Sequence, residues 1–299
     1  MNKKYHIKIT LSINFVLTRI YKNDIYFISS HCGLLININL RRLFMIISVV
    51  NQKGGVGKTT TAVNLSKSLT LPFASKKVLL VDLDPQANAT LHLTERVEPE
   101  KSISAVLMEK ASLKDVIINV DGIDLVPSNI SLSGVELEIF MKIGREYILK
   151  DALKDVKDEY DYIIIDCPPS LGLISLNALA ASDRIIVPIL LEKFAVDGLS
   201  DFLNTFSRVK SKINNGLEIM GYLAVGYNKR LSVSKQIYES VLKPQLGNKM
   251  FKTVIRTDTK LKEAQAMCKT VYTYKNNSKC AADYIDLAKE ITGGKYGKI

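Results

Sequence analysis

Cysteine is scarce in this 299-residue chain, and the four present (Cys32, Cys167, Cys268 and Cys280) stand far apart, with no C-x-x-C pair. Only three histidines accompany them, so neither a disulfide framework nor a zinc site is indicated, and a reducing compartment fits best. Long apolar runs are missing too. The longest uncharged run of the N-terminal stretch, Ile25 to Leu40, has 16 residues and is interrupted by Ser, His and Asn, which is short and polar for a span of about 20 apolar residues. There is no Pro/Gly/Ser-rich linker, and no repeat at a period of roughly 20–50 residues, so a single main domain is expected. With 47% apolar and 24% charged residues the chain can bury a core and is composed unlike a disordered or collagenous one.

The first 44 residues lack Ala, Pro, Glu and Gln altogether, and Ile, Asn, Lys, Tyr and Phe fill 23 of those positions. That bias is what AT-rich codons would produce, rather than a selected fold. The basic start and mild apolar run have no small-residue cleavage site behind them, which argues against a signal peptide. Met45 stands directly before the first strand-like run, Ile46 to Val50, and is expected to be the natural start. Residues 1–44 are then an extension, 45–292 the domain, and 293–299 a frayed glycine-rich tail.

Charge is unevenly spread. Residues 1–44 carry a net +6, residues 45–206 a net −6, and residues 207–299 a net +11. The last third is therefore a candidate polyanion-binding face on an acidic body.

From Met45 onward, short β-branched runs alternate with helix-length stretches. The strand candidates are Ile46–Val50, Val78–Leu83, Ile123–Val126, Tyr162–Ile165, Ile185–Pro188 and Ile219–Tyr227, with a further one near Lys252–Ile255. Helices are expected over Lys58–Leu69, twice within Ser131–Lys157, and over Leu171–Ala181, Asp197–Asn214, Val233–Leu246 and Lys279–Ile291. Strands apolar nearly throughout are buried on both faces, so the fold class is α/β: a mostly parallel, twisted sheet with helices on both sides.

Between the first strand and the first helix stands Asn51-Gln52-Lys53-Gly54-Gly55-Val56-Gly57-Lys58-Thr59-Thr60. Its glycines let consecutive N–H groups turn inward, and the following helix adds its positive end, an arrangement that holds phosphate oxygens. Lys58 would reach the β- and γ-phosphates and the Thr59 hydroxyl would ligate Mg²⁺. Asp82 and Asp84 follow an apolar strand, at the end where α/β sheets bind ligands; either acid could instead cap a turn or helix. In Tyr162-Ile163-Ile164-Ile165-Asp166, a buried strand delivers one carboxylate to the Mg²⁺ shell, the Walker B arrangement. The neighbouring Cys167 has no second cysteine at useful spacing and reads as a small packed residue.

Gln52 occupies the place where the strict phosphate-loop pattern has its first glycine, and Lys53 adds a second lysine beside the remaining ones. The run K-G-G-V-G-K-T-T resembles the deviant Walker A loop of the ParA/MinD ATPase family. The resemblance covers nearly all of residues 45–292 and implies a P-loop NTPase that hydrolyses ATP with Mg²⁺. It implies that Lys53 crosses a homodimer interface to the partner's nucleotide, that Asp84, in Asp82-Leu83-Asp84-Pro85-Gln86, positions or deprotonates the attacking water, and that Asp166-Cys167-Pro168-Pro169-Ser170 senses the γ-phosphate. Asp82 is left as an outer-shell Mg²⁺ group or an orienter of the loop. Asn228, ahead of Lys229-Arg230, is similar to the strand end that contacts adenine in some relatives, with a simple turn asparagine as the other reading.

Within that family the motifs look most like the small ParA/Soj partitioning proteins, which lack an N-terminal helix-turn-helix. The resemblance implies a cytoplasmic, nucleoid-associated protein that binds DNA without sequence preference and works with a ParB-like centromere-binding partner on a chromosome or plasmid. Arg230 sits in a stretch similar to the family's Y-D-G-R, and Lys260 matches the second arginine of its I-P-R-N-V-R-L. Arg256 and Thr257 depart from that pattern; Arg256, Lys260 and Lys262 remain candidate phosphate contacts. The rival readings are a MinD-like protein that rides a membrane, for which the C-terminal sequence is too glycine-rich, and a small-molecule kinase on the same scaffold.

Overall fold

The computed structural model describes residues 44–94, 101–192 and 199–293, and before them the backbone of three strands. The chain divides into two units, residues 1–43 and 44–299. In the first, β1 (Phe15–Tyr21), β2 (Asp24–Ser29) and β3 (Leu35–Asn39) pair antiparallel in that order. Composition had suggested no element there. The tail 294–299 and the expected start of a helix at Asp197 lie outside the described residues.

In the second unit, eight strands form one sheet. They are β4 (Met45–Val49), β5 (Val78–Asp82), β6 (Ile118–Val120), β7 (Ile123–Val126), β8 (Tyr162–Asp166), β9 (Arg184–Leu190), β10 (Glu218–Tyr227) and β11 (Met250–Arg256). Their spatial order is β11-β10-β9-β4-β8-β5-β7-β6. Every pairing is parallel except β6 with β7. The sheet is thus the mostly parallel one the apolar runs implied.

Helices fill the connections: α1 (Lys58–Thr70), α2 (Asn88–Leu93), α3 (Ile103–Leu107), α4 (Leu113–Val116), α5 (Leu132–Ile139), α6 (Ile148–Leu153) and α7 (Leu173–Ala181). They continue with α8 (Leu199–Lys212), α9 (Ser232–Gln236), α10 (Lys243–Leu246), α11 (Thr259–Ala266), α12 (Val271–Lys275) and α13 (Lys279–Ile291). The region read as one helix over Val233–Leu246 contains a π-helical stretch, Ile237–Leu242, between α9 and α10.

Alternation along the central strands explains the two covering layers. In β8, Ile163 and Ile165 face a core shared with α3, α5, α6, α7 and α8, whereas Ile164 faces one shared with α1, α2 and α13. Likewise Leu79 and Val81 of β5 face the first layer, and Val78 and Leu80 the second. All seven are buried. Such strands cannot have a wet face, so the helices between them must alternate sides.

The edge at β11 is closed by α13. The Glu290 carboxylate accepts the N–H groups of Lys252 (2.8 Å) and Thr253 (3.0 Å). Asp283 accepts the N–H of Arg256 at 2.8 Å and, at 2.6 Å, its Nη2. Tyr284, Leu287 and Ala288, on the same helix, are buried in the core against α1.

Candidate functional site

Parallel pairing brings three strand ends level. Val49, the last residue of β4, is in register with Asp166 at the end of β8, which is in register with Asp82 at the end of β5. The loop Val50–Gly57 therefore leaves the sheet beside two carboxylates, on the carboxyl side where open α/β sheets take ligands.

Loop residues are fixed from below. Asn51 Nδ2 donates to the Pro188 carbonyl at 2.7 Å, and its Oδ1 accepts the Lys53 N–H at 3.0 Å, tying the loop to the end of β9. Val56 is buried, whereas Gly54 and Gly55 are exposed. Gly57, the residue before α1, has φ +87°, and a Cβ on it would lie 3.2 Å from Val225 Cγ1. The positive φ favours glycine at that position, and the β10 side chain leaves a Cβ little room. No side chain caps the N-terminus of α1, so its first N–H groups and the positive end of the helix face the loop.

The two lysines have different surroundings. Lys58 is 7% exposed, and its Nζ donates to the Lys53 carbonyl at 3.1 Å. Burial pulls its pKa below the ordinary lysine value, against the opposing pull of Asp166 and Asp84. Lys53 is half-buried, and its ammonium has no partner among the described residues.

Asp166 is fully buried, and among the described residues neither carboxylate oxygen has a hydrogen-bond partner. Burial first, and then the nearby Asp82 carboxylate, hold its pKa well above the usual range; the Thr59 hydroxyl faces it and acts in the opposite sense. An orphaned buried carboxylate beside a hydroxyl and the phosphate loop suits a hard dication. No group of three or more His, Cys, Asp or Glu side chains forms a metal cage among the described residues. Mg²⁺ binds through one or two protein oxygens plus phosphates and water, the kind of donor set that Asp166 and Thr59 present.

Asp82 is engaged differently. Its Oδ1 accepts the Asp84 N–H at 3.0 Å, and its Oδ2 accepts both the N–H and the hydroxyl of Thr90 at 2.8 Å. Burial pushes its pKa up to about 6 despite those bonds. These bonds hold the turn at Asp84 and the first turn of α2, which is the capping arrangement the sequence also left open for this acid. The Thr90 Oγ1 also accepts the Ser128 N–H at 2.9 Å, and Ser128 Oγ donates to the Asp84 carbonyl at 2.8 Å. Asp84 is thereby held at its N–H by Asp82 and at its carbonyl by Ser128. Its own Oδ1 accepts the Gln86 N–H at 2.9 Å, and it is 7% exposed. Asn51, Thr90 and Ser128 were not singled out by sequence reasoning.

Cys167 is buried, and burial pushes its thiol up to about 12, so it is a packed and unreactive group. Asn228 closes a turn, with its Oδ1 accepting the Arg230 N–H at 3.0 Å, while its Nδ2 has no partner among the described residues. Thr60 gives its carbonyl to Asn64 Nδ2 at 2.8 Å as part of α1.

The four basic candidates late in the chain separate into two kinds. Arg230 and Lys262 are exposed, and their side chains have no ion pair among the described residues. Lys260 is paired with Glu263 at 2.6 Å. Arg256 departs from the expectation of a free surface arginine: its Nε and Nη2 grip Asp283, and Nη2 also donates to the Lys279 carbonyl at 3.0 Å. That guanidinium fastens α13 to β11, and a phosphate could recruit it only by breaking a charge-assisted bidentate pair.

A family profile described as an AAA domain matches residues 44–219. The chain is 45% identical over 249 residues to the sporulation initiation inhibitor protein Soj of Bacillus subtilis, which covers 82% of this chain and 97% of that protein. It is 38% identical over 253 residues to the chromosome partitioning protein ParA of Caulobacter vibrioides, covering 82% and 93%. Among solved structures, cobyrinic acid a,c-diamide synthase from Mycobacterium smegmatis with bound ADP and magnesium is similar at a TM-score of 0.71 and 33% identity, over 85% of this chain and 97% of that one.

Proposed function

The chain belongs to the ParA/Soj family of ParA/MinD-type ATPases, and from that premise we propose an ATP-driven switch that pairs, binds DNA without sequence preference, and segregates chromosomal or plasmid DNA with a ParB-like partner. The protein is an ATPase that uses Mg²⁺. Pairing, DNA and the partner are the proposed part, as is a nucleoid location in the cytoplasm.

The observation that carries the reading is the pair of lysines on one phosphate loop. Lys58 is buried against the loop's own carbonyl, beside Asp166 and Asp84, whereas Lys53 is left without a partner among the described residues. Lys58 and the N–H groups of the loop neutralise the phosphates of their own nucleotide, and Lys53 supplies the second ammonium to the neighbour's, as an arginine finger would. Thr59 and Asp166 would hold Mg²⁺, which when bound neutralises charge on the β- and γ-phosphate oxygens. Asp84, its backbone clamped at both ends, orients the attacking water. Asn228 has a free amide with which to meet the adenine edge.

Arg230, Lys260 and Lys262 supply the DNA phosphate contacts, in the third of the chain that carries a net +11. A membrane-riding role is disfavoured by α13, whose apolar residues are already buried against α1. No helix among the described residues is long and apolar enough to cross a membrane.

The test measures particle mass and DNA retention with and without ATP. Wild type should double in mass and retain DNA only with ATP; Lys53→Ala should stay single, and Lys58→Ala should lose nucleotide. Asp84→Ala should pair and bind DNA yet hydrolyse ATP about 100-fold more slowly, the size of a lost general base. An Asp84→Ala protein that remains single in ATP would refute the scheme.

A further inference from the structure

The segment after Asp166 runs Cys167-Pro168-Pro169-Ser170-Leu171-Gly172 and then enters α7. Its near end is anchored to the phosphate-loop strand, since the Cys167 N–H donates to the Val49 carbonyl at 3.3 Å. The two prolines that follow have no N–H to anchor with. The far end is held from another element: Glu136, on α5, accepts the N–H of Ile174 through Oε1 at 3.0 Å.

That carboxylate replaces a local cap. The N-cap of α7 is Gly172, which has no side chain to cap with, and the first turn contains no acidic residue. A Cβ at position 172 would lie 2.5 Å from Glu136 Oε1 and 3.2 Å from Oε2. Glycine here makes room for a carboxylate from 36 positions earlier in the chain. Leu132, Val135 and Ile139 root α5 in the core, so Glu136 projects from a fixed support.

We propose that Glu136 is a positioning residue for ATP hydrolysis: by capping α7 from α5 it fixes the far end of segment 167–172, and with it the residues there that meet the γ-phosphate. Nucleotide affinity depends on the phosphate loop, which Glu136 does not touch, so the rate of the chemical step is where its loss is felt. The inference rests on the ATPase activity and needs neither pairing nor DNA.

Steady-state ATP turnover in four proteins tests it. Glu136→Ala should lower kcat about fivefold, the rate equivalent of one lost helix cap, with KM for ATP held within about twofold. Glu136→Gln, which keeps an acceptor oxygen at the same reach, should restore most of the rate. Gly172→Ala pushes the carboxylate away and should reproduce the Glu136→Ala defect, and the double variant should be no worse than either single one. If Glu136→Ala does not fold, Gly172→Ala against Glu136→Gln carries the comparison. Wild-type kcat in Glu136→Ala, or in Gly172→Ala when that comparison stands alone, would overturn the inference alone, as would single-variant effects that add in full. Absence of ATP turnover in the wild type would overturn the ATPase reading with it.

Discussion

Thr90 shows how much of the site depends on residues with no motif of their own. Its hydroxyl both donates to Asp82 and accepts the Ser128 N–H, and Ser128 in turn holds the carbonyl of Asp84. Thr90→Val keeps the shape and removes both bonds inside a dry site. It should lower stability by about 2 kcal/mol, since buried partners are left unsatisfied. It should also cut kcat about tenfold through the displaced Asp84, while Thr90→Ser keeps both. Thermal melting and turnover on the three proteins check this. Lys53, Lys58, Thr59, Asp84 and Asp166 were legible in the sequence because each lies within a few residues of a glycine loop or a strand end. Thr90, Ser128 and Glu136 were not, because their partners lie 8, 44 and 38 positions away. Arg256 was legible as a cation but not as a strap, since Asp283 meets it only once α13 has packed on β11.

Short elements escaped the sequence pattern for a physical reason: three to five residues contain too little periodicity to register. α3, α4 and α12 are of this kind, and so is β6, whose three residues pair antiparallel with β7. A signal for that hairpin was present in Asp121-Gly122, both with positive φ (52° and 74°), the Asp-Gly turn that joins tight antiparallel strands. Helix α2 offers a measurable consequence. Its His92 is 1% exposed, with Nε2 lying 3.1 Å from the Lys269 carbonyl and Nδ1 without a partner among the described residues. A carbonyl can only accept, so Nε2 has the proton. Burial lowers its pKa from 6.5 to about 4. The folded state therefore holds the neutral ring; this contribution is complete above pH 6.5 and is lost as pH falls toward 4. It amounts to about 3 kcal/mol at the upper bound. Melting temperatures measured from pH 7 down to 4 should fall less steeply for His92→Gln than for wild type.

The molecule as a whole separates chemistry from charge. Its acidic middle contains the phosphate loop and the carboxylates, while the basic last third supplies β11, α11 and α13. On the proposed function, affinity for DNA should fall steeply with salt and hardly vary with sequence. Arg230→Ala or Lys262→Ala should each flatten the log–log salt slope by about 0.9, the increment for one phosphate contact, whereas Arg256→Ala should chiefly lower the melting point. Titrations of two unrelated duplexes at several salt concentrations give these slopes.

Carboxylates from α13 occupy the main-chain donors of Lys252, Thr253 and Arg256 on β11, and the opposite margin of the sheet is the three-residue β6. Neither border offers a continuous ladder onto which another extended segment could zip. Under the proposed function, copies that pair would therefore meet through side-chain surfaces, which can separate on hydrolysis, rather than through a growing cross-strand ribbon, which could not.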